Sequence, residues 1–297
     1  MSIASPIQTS NLNLSSNNGN GTLITSLQPS LTIGVRDSGV GGLTVARAIK
    51  EHLPGARLLY FADTAHVPYG DRSPDQVRHL ALSITQFLIE QGAQQVVFAC
   101  NTSSAYALEM AQTRFNVPLT GMIEAGARAA LQANVQTPDV PIGVLATAAT
   151  VESHMYAQWI KKLAPQATVI EIPCPQFVPL VESEQGETPA ARLACEEYLK
   201  PLVQQGVQTV ILGCTHYPLL LPTLTALAPQ IRFVDPAQYV AREIKTMVGH
   251  LAPTPSAQAD RFFVSGARDG LQNWIVKLLD NHAPDIVAGP IFTPPTA

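Results

Sequence analysis

Short apolar runs recur along the chain and alternate with segments of helical periodicity. Five of these runs are mostly apolar and lack the alternation of a half-exposed strand: Leu31–Val35, Leu58–Phe61, Val96–Ala99, Ile142–Leu145 and Val210–Leu212. A sixth run, Val169–Ile172, is weaker because Glu171 interrupts it. Such runs are typical of parallel strands that are covered on both faces. Their alternation with helices predicts an α/β fold.

Two segments combine helical spacing with residues that favour helix ends. The first begins at Ser73, which predicts an N-cap with Gln76 completing a capping box, and it ends before Gly92. The second runs from Thr188 to about Gly206, and we expect Pro201 to kink or shorten it. The apolar faces expected for the two helices are Val77, Leu80, Ile84, Phe87 and Leu88, and Cys195, Tyr198, Leu199, Leu202 and Val203.

The chain contains an internal duplication. The segment 91–100, QGAQQVVFAC, parallels the segment 205–214, QGVQTVILGC, and the two share Gln, Gly, Gln, Val and Cys at matching places. Upstream, Ile33-Gly34-Val35 parallels Ile142-Gly143-Val144. Each half therefore reads as strand, helix, strand, helix, which predicts two α/β lobes. If a pseudo-twofold axis relates the lobes, the carboxyl ends of the duplicated strands face one cleft.

Charge and composition narrow the possible classes of protein. Eighteen basic and 22 acidic residues give a net charge of −4, without a Lys/Arg cluster, which argues against a nucleic-acid binder. No apolar run approaches the ~20 residues of a membrane span. The four cysteines form no C-x-x-C pair, so we expect reduced thiols and a cytoplasmic location.

Both ends of the chain differ from the middle in composition. Residues 1–30 contain no charged residue, are rich in Ser, Asn, Thr and Gly, and lack the features of a secretory signal. We expect them to form a disordered leader. The proline-rich end, 289–297, is expected to be a loose tail.

Cys100 and Cys214 are the strongest candidates for chemistry. Each follows one of the duplicated strands, precedes an expected helix, and is followed within two residues by Thr102 or Thr215. A thiol at a helix N-terminus has a lowered pKa, and His216 could exchange a proton with Cys214. A buried cysteine at a strand end is also an ordinary packing residue, but the duplication favours a functional role.

The remaining polar signals are individually less specific. The loop Asp37-Ser38-Gly39-Val40-Gly41-Gly42 fails the dinucleotide and phosphate-loop patterns, but it could hold a carboxylate on its backbone N–H groups, or Asp37 could simply cap a helix. His66 is expected to be a bystander. Cys174 and Cys195 are expected to be packing residues.

Taken together, these motifs resemble glutamate racemase of the aspartate/glutamate racemase superfamily. They occur in family order over about residues 31–240: Asp37–Gly42, Asp63-Thr64 with Val67–Gly70, Cys100–Thr102, Phe177–Glu182 and Gly213–Pro218. The resemblance implies two α/β lobes related by pseudo-twofold symmetry, with the active site in the cleft between them. It implies a first lobe of residues 31–127 plus 235–297 and a second lobe of 128–234. It also implies cofactor-independent interconversion of L- and D-glutamate, which provides D-glutamate for peptidoglycan synthesis, without a metal and in a homodimer.

The resemblance further implies individual roles. Cys100 would take the α-proton from D-glutamate and Cys214 from L-glutamate, Asp37 would serve the first thiol, and His216 with Glu182 would serve the second. The residues implied in substrate binding are Asp37, Ser38, Pro68, Tyr69, Gly70, Cys100, Asn101, Thr102, Thr147, Thr150, Cys214, Thr215 and His216. Arg36 departs from the family pattern, which commonly has an apolar aromatic residue there, and Ala146 stands where glycine is usual.

Three other functions stay open from the residues alone. A racemase of aspartate or another amino acid would keep two cysteines, although His216 favours glutamate because aspartate racemases tend to have an acid there. A thiol-redox or metal protein is a second alternative, but Cys214 and His216 form a poor metal pair by themselves. A two-lobed binding protein is a third, but it would not need a cysteine at both strand ends.

Overall fold

Two parallel β-sheets carry the helices in the computed structural model, which describes residues 31–248 and 256–295. The strands are β1 (Thr32–Asp37), β2 (Arg57–Ala62), β3 (Gln95–Phe98), β4 (Leu119–Gly121), β5 (Ile142–Ala146), β6 (Val169–Pro173), β7 (Thr209–Gly213), β8 (Arg232–Val234), β9 (Arg261–Val264) and β10 (Asp285–Ala288). The first sheet has the order β10-β9-β2-β1-β3-β4 and the second β6-β5-β7-β8. The expected α/β fold with two parallel-sheet lobes is confirmed.

Helices cover both sheets. They are α1 (Leu43–His52), α2 (Pro74–Glu90), α3 (Asn101–Arg114), α4 (Met122–Ala133), α5 (Ala148–Glu152), α6 (Met155–Leu163), α7 (Phe177–Glu182), α8 (Pro189–Gln204), α9 (Leu221–Leu227), α10 (Pro236–Val248) and α11 (Asp269–Leu279). Within the described ranges, no helix is both long and apolar enough to cross a membrane.

The predicted apolar runs are the interior strands of the two sheets. β1 pairs with β2 and β3 in the first sheet, and β5 pairs with β6 and β7 in the second, all in parallel. The weaker run became β6, an edge strand that is only half buried, which explains why Glu171 is tolerated in it. Four strands were not predicted, namely β4, β8, β9 and β10, although β9 contains the apolar residues Phe262–Val264.

Helix α2 matches its predicted boundaries. The Ser73 Oγ accepts a hydrogen bond from the Gln76 backbone N–H at 3.4 Å, and the Gln76 side chain accepts one from the Ser73 N–H at 3.4 Å. Gly92 follows the helix with a φ of +97°, a conformation that glycine adopts without strain. Local capping chemistry was therefore sufficient to position this helix.

Helix α8 departs from its prediction in two details. It continues past Pro201 to Gln204, so the proline does not end it, although it removes one backbone hydrogen bond of the last turn. Val203, expected on the buried face, is 43% exposed, because the buried stripe turns away from it after Leu202. The other four residues of that face are buried.

Two predictions concern the ends of the chain. Residues 1–30, the expected leader, lie outside the described residues. The tail is not loose over residues 289–295: Phe292 lies 6.2 Å from the Phe61 ring centre, and the Gln76 side chain donates to the Pro295 carbonyl at 3.4 Å. An aromatic side chain within the proline-rich segment gives it an apolar contact that composition alone did not indicate.

Candidate functional site

The loop after β1 places a buried carboxylate against the opposite lobe. Asp37 is fully buried, and its carboxylate accepts hydrogen bonds from the Gly39 N–H at 3.0 Å and from the Thr215 hydroxyl at 3.2 Å. Burial raises the pKa of Asp37, although the charge of His216 opposes this effect. The loop approaches the other lobe so closely that a Cβ at Gly41 would lie 2.5 Å from the His216 Nδ1. Glycine is therefore required there by the close approach.

Cys100 caps α3 at the end of β3, as the sequence predicts. Its side chain is buried, and burial raises the pKa of its thiol to about 11, with the negative charge of Asp37 contributing in the same direction. The expectation that the helix N-terminus makes the thiolate accessible near neutral pH is therefore wrong for the site as it stands. Loss of solvation is the largest effect on this thiol.

Cys214 follows β7 and belongs to a chain of polar groups. Its Sγ lies 3.7 Å from the His216 Nδ1, and the His216 Nε2 lies 2.7 Å from a Glu182 carboxylate oxygen at the end of α7. Burial lowers the pKa of His216, but its hydrogen bonds with Cys214 and Glu182 outweigh this effect and hold that pKa well above 6.5. Burial also raises the pKa of Glu182, but the bond to His216 outweighs it and the net shift is downward. The pair therefore favours a protonated imidazole beside a carboxylate.

Three threonine hydroxyls from both lobes form a triangle. Thr102 on α3 lies 3.0 Å from Thr147 and 3.1 Å from Thr150, and the latter two are 3.0 Å apart. Asn101 lies beside them, and its amide oxygen accepts a 2.6 Å hydrogen bond from the Tyr156 hydroxyl. The Asn101 Nδ2 is buried and has no hydrogen-bond partner among the described residues, so it is an available donor.

Both cysteines line one small cavity between the lobes. The residues around it are Ser38, Pro68, Tyr69, Gly70, Cys100, Asn101, Thr102, Thr147, Val178, Gly213, Cys214, Thr215 and His216. The sequence identified all of these except Val178 and Gly213, whose apolar or absent side chains carry no chemical signal. Three predicted residues, Asp37, Thr150 and Glu182, do not line the cavity but contact residues that do.

The cavity is nearly closed. It offers about 10 Å³ to a water-sized molecule, which is enough for about one water. A larger groove of about 930 Å³ runs along α3, α4 and α6, but neither Cys100 nor Cys214 lines it. A ligand as large as an amino acid can enter the cavity only if the lobes separate or its walls move.

A second buried carboxylate supports the wall of the cavity. Asp63 accepts hydrogen bonds from the Tyr69 hydroxyl at 2.6 Å and from the Ser265 hydroxyl at 2.7 Å, and its Oδ1 lies 2.9 Å from the His66 Nδ1. The Tyr69 hydroxyl thus donates to Asp63, and Tyr69 also lines the cavity. Ser265 follows β9, a strand that was not predicted, so its contact with Asp63 could not be found from the sequence.

The other cysteines are buried away from the cavity. Cys174 and Cys195 are fully buried in the largest apolar core, and burial raises the pKa of both thiols, that of Cys195 to about 12. In the described part of the chain, no group of three or more His, Cys, Asp and Glu side chains is arranged to hold a metal ion.

Comparisons with known proteins agree with this geometry. The family model described as Asp/Glu/Hydantoin racemase matches residues 43–244. A glutamate racemase from Desulforudis audaxviator is 45% identical over 251 residues, covering 81% of this chain and 91% of that protein. A crystal structure of a glutamate racemase isoform from Bacillus anthracis superposes with a TM-score of 0.81 at 31% identity, covering 88% of this chain and 98% of the other.

A further solved structure resembles the chain as closely in fold. The glutamate racemase from Francisella tularensis in complex with D-glutamate has a TM-score of 0.80 at 28% identity and covers 88% of this chain and 98% of its own. Sequence and fold thus give the same assignment over most of the chain. The chain therefore belongs to the Asp/Glu/hydantoin racemase family, within its glutamate racemase branch.

Proposed function

We propose that the chain interconverts L- and D-glutamate by a two-base mechanism in which Cys100 and Cys214 are the two bases. The observation that carries this proposal is that the two thiols line one closed cavity from opposite lobes. Inversion at an α-carbon needs a base on one face and an acid on the other. Glutamate is proposed as the substrate because the relatives that match over most of the chain are glutamate racemases, and one was solved with D-glutamate.

In the proposed reaction each cysteine acts as the base in one direction and as the acid in the other. Cys100 as thiolate removes the α-proton of D-glutamate while Cys214 as thiol protonates the opposite face, and L-glutamate reacts with the roles reversed. The raised pKa of Cys100 keeps it as a thiol in the closed site. When substrate binds, the positive charge of its ammonium group would lower this pKa and favour the thiolate. His216, hydrogen-bonded to Glu182, is placed to exchange a proton with Cys214.

The carbanion must be stabilised without an electron sink. The unpaired Asn101 Nδ2 and the hydroxyls of Thr102 and Thr147 are donors at the cavity wall, and they can hold the substrate carboxylates. Fixed donors in a site without bulk water stabilise developing charge more strongly than water does. Closure of the lobes over the substrate would exclude that water.

The wider assignments follow from the family. The lobe limits 31–127 plus 235–297 and 128–234 are supported by the division of the strands between the two sheets. A cytoplasmic location is supported by the four free cysteines, since the mechanism needs reduced thiols. Supply of D-glutamate to peptidoglycan synthesis, assembly as a homodimer and independence from cofactors are proposed from the likeness to glutamate racemases.

The decisive experiment follows inversion and isotope exchange together. Purified protein without pyridoxal phosphate is incubated with D-glutamate in deuterated water with a reductant, and optical rotation and α-deuterium are recorded. We expect inversion with one deuterium incorporated, and a loss of ~10²–10⁴-fold in both Cys100→Ala and Cys214→Ala. Cys195→Ala, which removes a buried thiol outside the cavity, is the matched control and should retain activity.

Other outcomes would redirect the assignment. Reaction with aspartate but not glutamate would keep the mechanism and change the substrate. Neither inversion nor exchange with any amino acid would overturn the catalytic proposal and favour a binding or thiol-redox protein. Full activity in either active-site cysteine variant would exclude the two-base mechanism.

A further inference from the structure

Arg36 is a buried cation without a hydrogen-bonding partner. It lies in β1, the strand between β2 and β3, and its side chain is 0% exposed. None of its three guanidinium nitrogens has a hydrogen-bond partner among the described residues. Arginine remains charged at any accessible pH, so the charge has been taken out of water without a hydrogen-bonded anion. Burial of a charged group without hydrogen bonds costs folding free energy, so a functional reason for the position of Arg36 is worth seeking.

Two aromatic rings lie near the guanidinium group, and one of them belongs to Tyr69 in the cavity wall. The central guanidinium carbon lies 5.0 Å from the Phe98 ring centre and 5.7 Å from the Tyr69 ring centre. These contacts offset part of the cost of burial through cation–π attraction. They also fix the position of the charge, because both rings are buried.

The same geometry places the cation on the Cys100 side of the sheet. Arg36 is paired with Phe98 in the register of β1 and β3, and Cys100 follows Phe98 by two residues, so alternation puts Cys100 on the same face. Tyr69, which contacts the guanidinium group, packs in one cluster with Cys100. Asp37 extends to the opposite face. The cation therefore lies behind the wall of the cavity, next to the first thiol.

The two buried carboxylates in this region, Asp63 and Asp37, already have other hydrogen-bond partners. Asp63 is contacted by Tyr69, Ser265 and His66, and the Asp37 carboxylate is bonded to Gly39 and Thr215. Neither carboxylate makes a hydrogen bond to Arg36. The negative charge that arises in the proposed reaction on the same side of the sheet is the Cys100 thiolate.

We propose that Arg36 is a positioning residue that stabilises the thiolate form of Cys100 through space, in the way that His216 and Glu182 serve Cys214. This inference rests on the proposed role of Cys100 as a base. The titratable and charged groups around Cys100 are Asp37 and Arg36 from β1, Tyr60 from β2, Tyr69 from the loop after β2 and Cys214 from the other lobe. Helix α2 adds Val77 and Leu80 to the apolar cluster around Cys100, and Tyr106 from α3 packs against that cluster.

The effect of Arg36 on the Cys100 thiol has the direction that this role requires. Burial and the charge of Asp37 raise the pKa of Cys100, whereas the charge of Arg36 lowers it. Arg36 is therefore the positive group that opposes Asp37 at this thiol. Without it, the thiolate would be disfavoured by both burial and repulsion.

The test reads the thiol directly and needs no turnover. The rate of alkylation of Cys100 by iodoacetamide is measured between pH 7 and 9 in Cys214→Ala protein, where the rate follows the thiolate fraction. We expect Arg36→Met to slow this alkylation about tenfold, which corresponds to one pKa unit, and Arg36→Lys to retain most of the parent rate. Arg47→Met, which removes an exposed arginine on α1, is the control and should leave the rate unchanged.

The same substitution is also measured in Cys100→Ala protein, in order to distinguish an electrostatic effect on Cys100 from a general loosening of the structure. In Cys100→Ala protein, the alkylation of Cys214 should change much less with Arg36→Met than that of Cys100 does. If Arg36→Met does not fold, Arg36→Gln is measured against the same criterion. Unchanged alkylation of Cys100, or equal changes at both thiols, would overturn the inference. Since the readout is independent of racemisation, its result stands apart from that of the isotope-exchange experiment.

Discussion

Cys100 and Cys214 occupy matching places in the duplicated halves, yet their polar neighbours differ. Cys214 lies 3.7 Å from a histidine that is itself bonded to Glu182. Cys100 has the Asp37 carboxylate nearby and a thiol pKa raised to about 11. The duplication thus preserved the position of the thiols, while the residues around each one diverged.

The pair of Glu182 and His216 should make stability depend on pH. The folded state lowers the pKa of Glu182 from 4.5, so its contribution is present above that value and is lost as the pH falls through the folded pKa. The pKa of His216 is raised above 6.5, so its contribution is complete below that value and is lost as the pH rises through the folded pKa. We expect Glu182→Gln to lower the free energy of unfolding most at about pH 6, between the two unfolded values.

Urea unfolding at a series of pH values measures this dependence. The difference between Glu182→Gln and the parent should shrink as the pH falls below 4.5 and through the lower folded pKa of Glu182, because the carboxylate is then protonated in both states. Glu187→Gln, at an exposed position in the following loop, is the control. A difference that stays constant over the whole pH range would contradict the prediction.

Gly41 offers a steric test of the contact between the lobes. A methyl group there would meet His216 at 2.5 Å, so Gly41→Ala must displace the loop or the histidine. We expect a loss of about 1–3 kcal/mol in stability, as for other overpacked sites. A shift of about 1 Å in a catalytic group can cost about 10²-fold in rate, so we expect activity to fall by that order.

Thermal unfolding and steady-state kinetics measure the two effects. Gly270→Ala in α11 adds a methyl group where nothing lies within 4 Å, so it should be neutral or stabilise the helix by about 0.5–1 kcal/mol. Parent-like activity in Gly41→Ala would show that the loop and His216 are not in close contact.

At the scale of single elements, local chemistry determines helix ends better than strand edges. Helix α2 begins at its predicted cap, and the strands made of apolar runs all formed. Three of the strands that escaped prediction are short or lie at sheet edges: β4 and β8 have three residues each, and β10 is partly exposed. The fourth, β9, is an interior strand with only three apolar residues, Phe262–Val264. Such segments pair because a neighbouring strand is already in place, and their own sequences carry little signal.

The cap of α2 can be tested by a single substitution. Ser73→Ala removes the side-chain acceptor for the Gln76 N–H, and we expect a loss of about 1 kcal/mol in the free energy of unfolding. Ser73→Asp, which restores an acceptor, is the rescue control. Urea unfolding of the three proteins measures the effect, and equal midpoints would show that the cap contributes nothing.

At the scale of the whole molecule, the last described residues close one face of the first sheet. Phe292 packs against both the apolar cluster behind β2 and the cluster that contains Tyr69 and Cys100. A segment near the chain end therefore supports the cavity wall.

Phe292→Ala tests this contact. Truncation of a partly buried aromatic side chain should cost about 1–3 kcal/mol, somewhat less than a fully buried one. Its neighbour Ile291 is 65% exposed, so Ile291→Ala should change stability by less than about 0.5 kcal/mol. Differential scanning calorimetry of both variants makes the comparison, and similar melting temperatures for the two would contradict the packing of this segment.

The amino-acid sequence by itself determined the strand–helix alternation, the two lobes and most of the cavity residues. Apolar runs, capping residues and the duplicated cysteine segments are local patterns, and they need no knowledge of what lies across the fold. Cys100 and Cys214 could be recognised because they follow duplicated strands, whose ends parallel sheets bring to one edge, and the roles of the other site residues came from the family resemblance.

Only the tertiary structure decided the electrostatics and the closure of the site. The pKa of Cys100, the contact of Asp63 with Tyr69 and Ser265, and the unpaired charge of Arg36 all depend on burial by residues that are distant in sequence. Solvation energy depends on everything that surrounds a group, and a linear pattern records only its neighbours along the chain. The sequence therefore predicted which groups meet, and the fold determined their charge states.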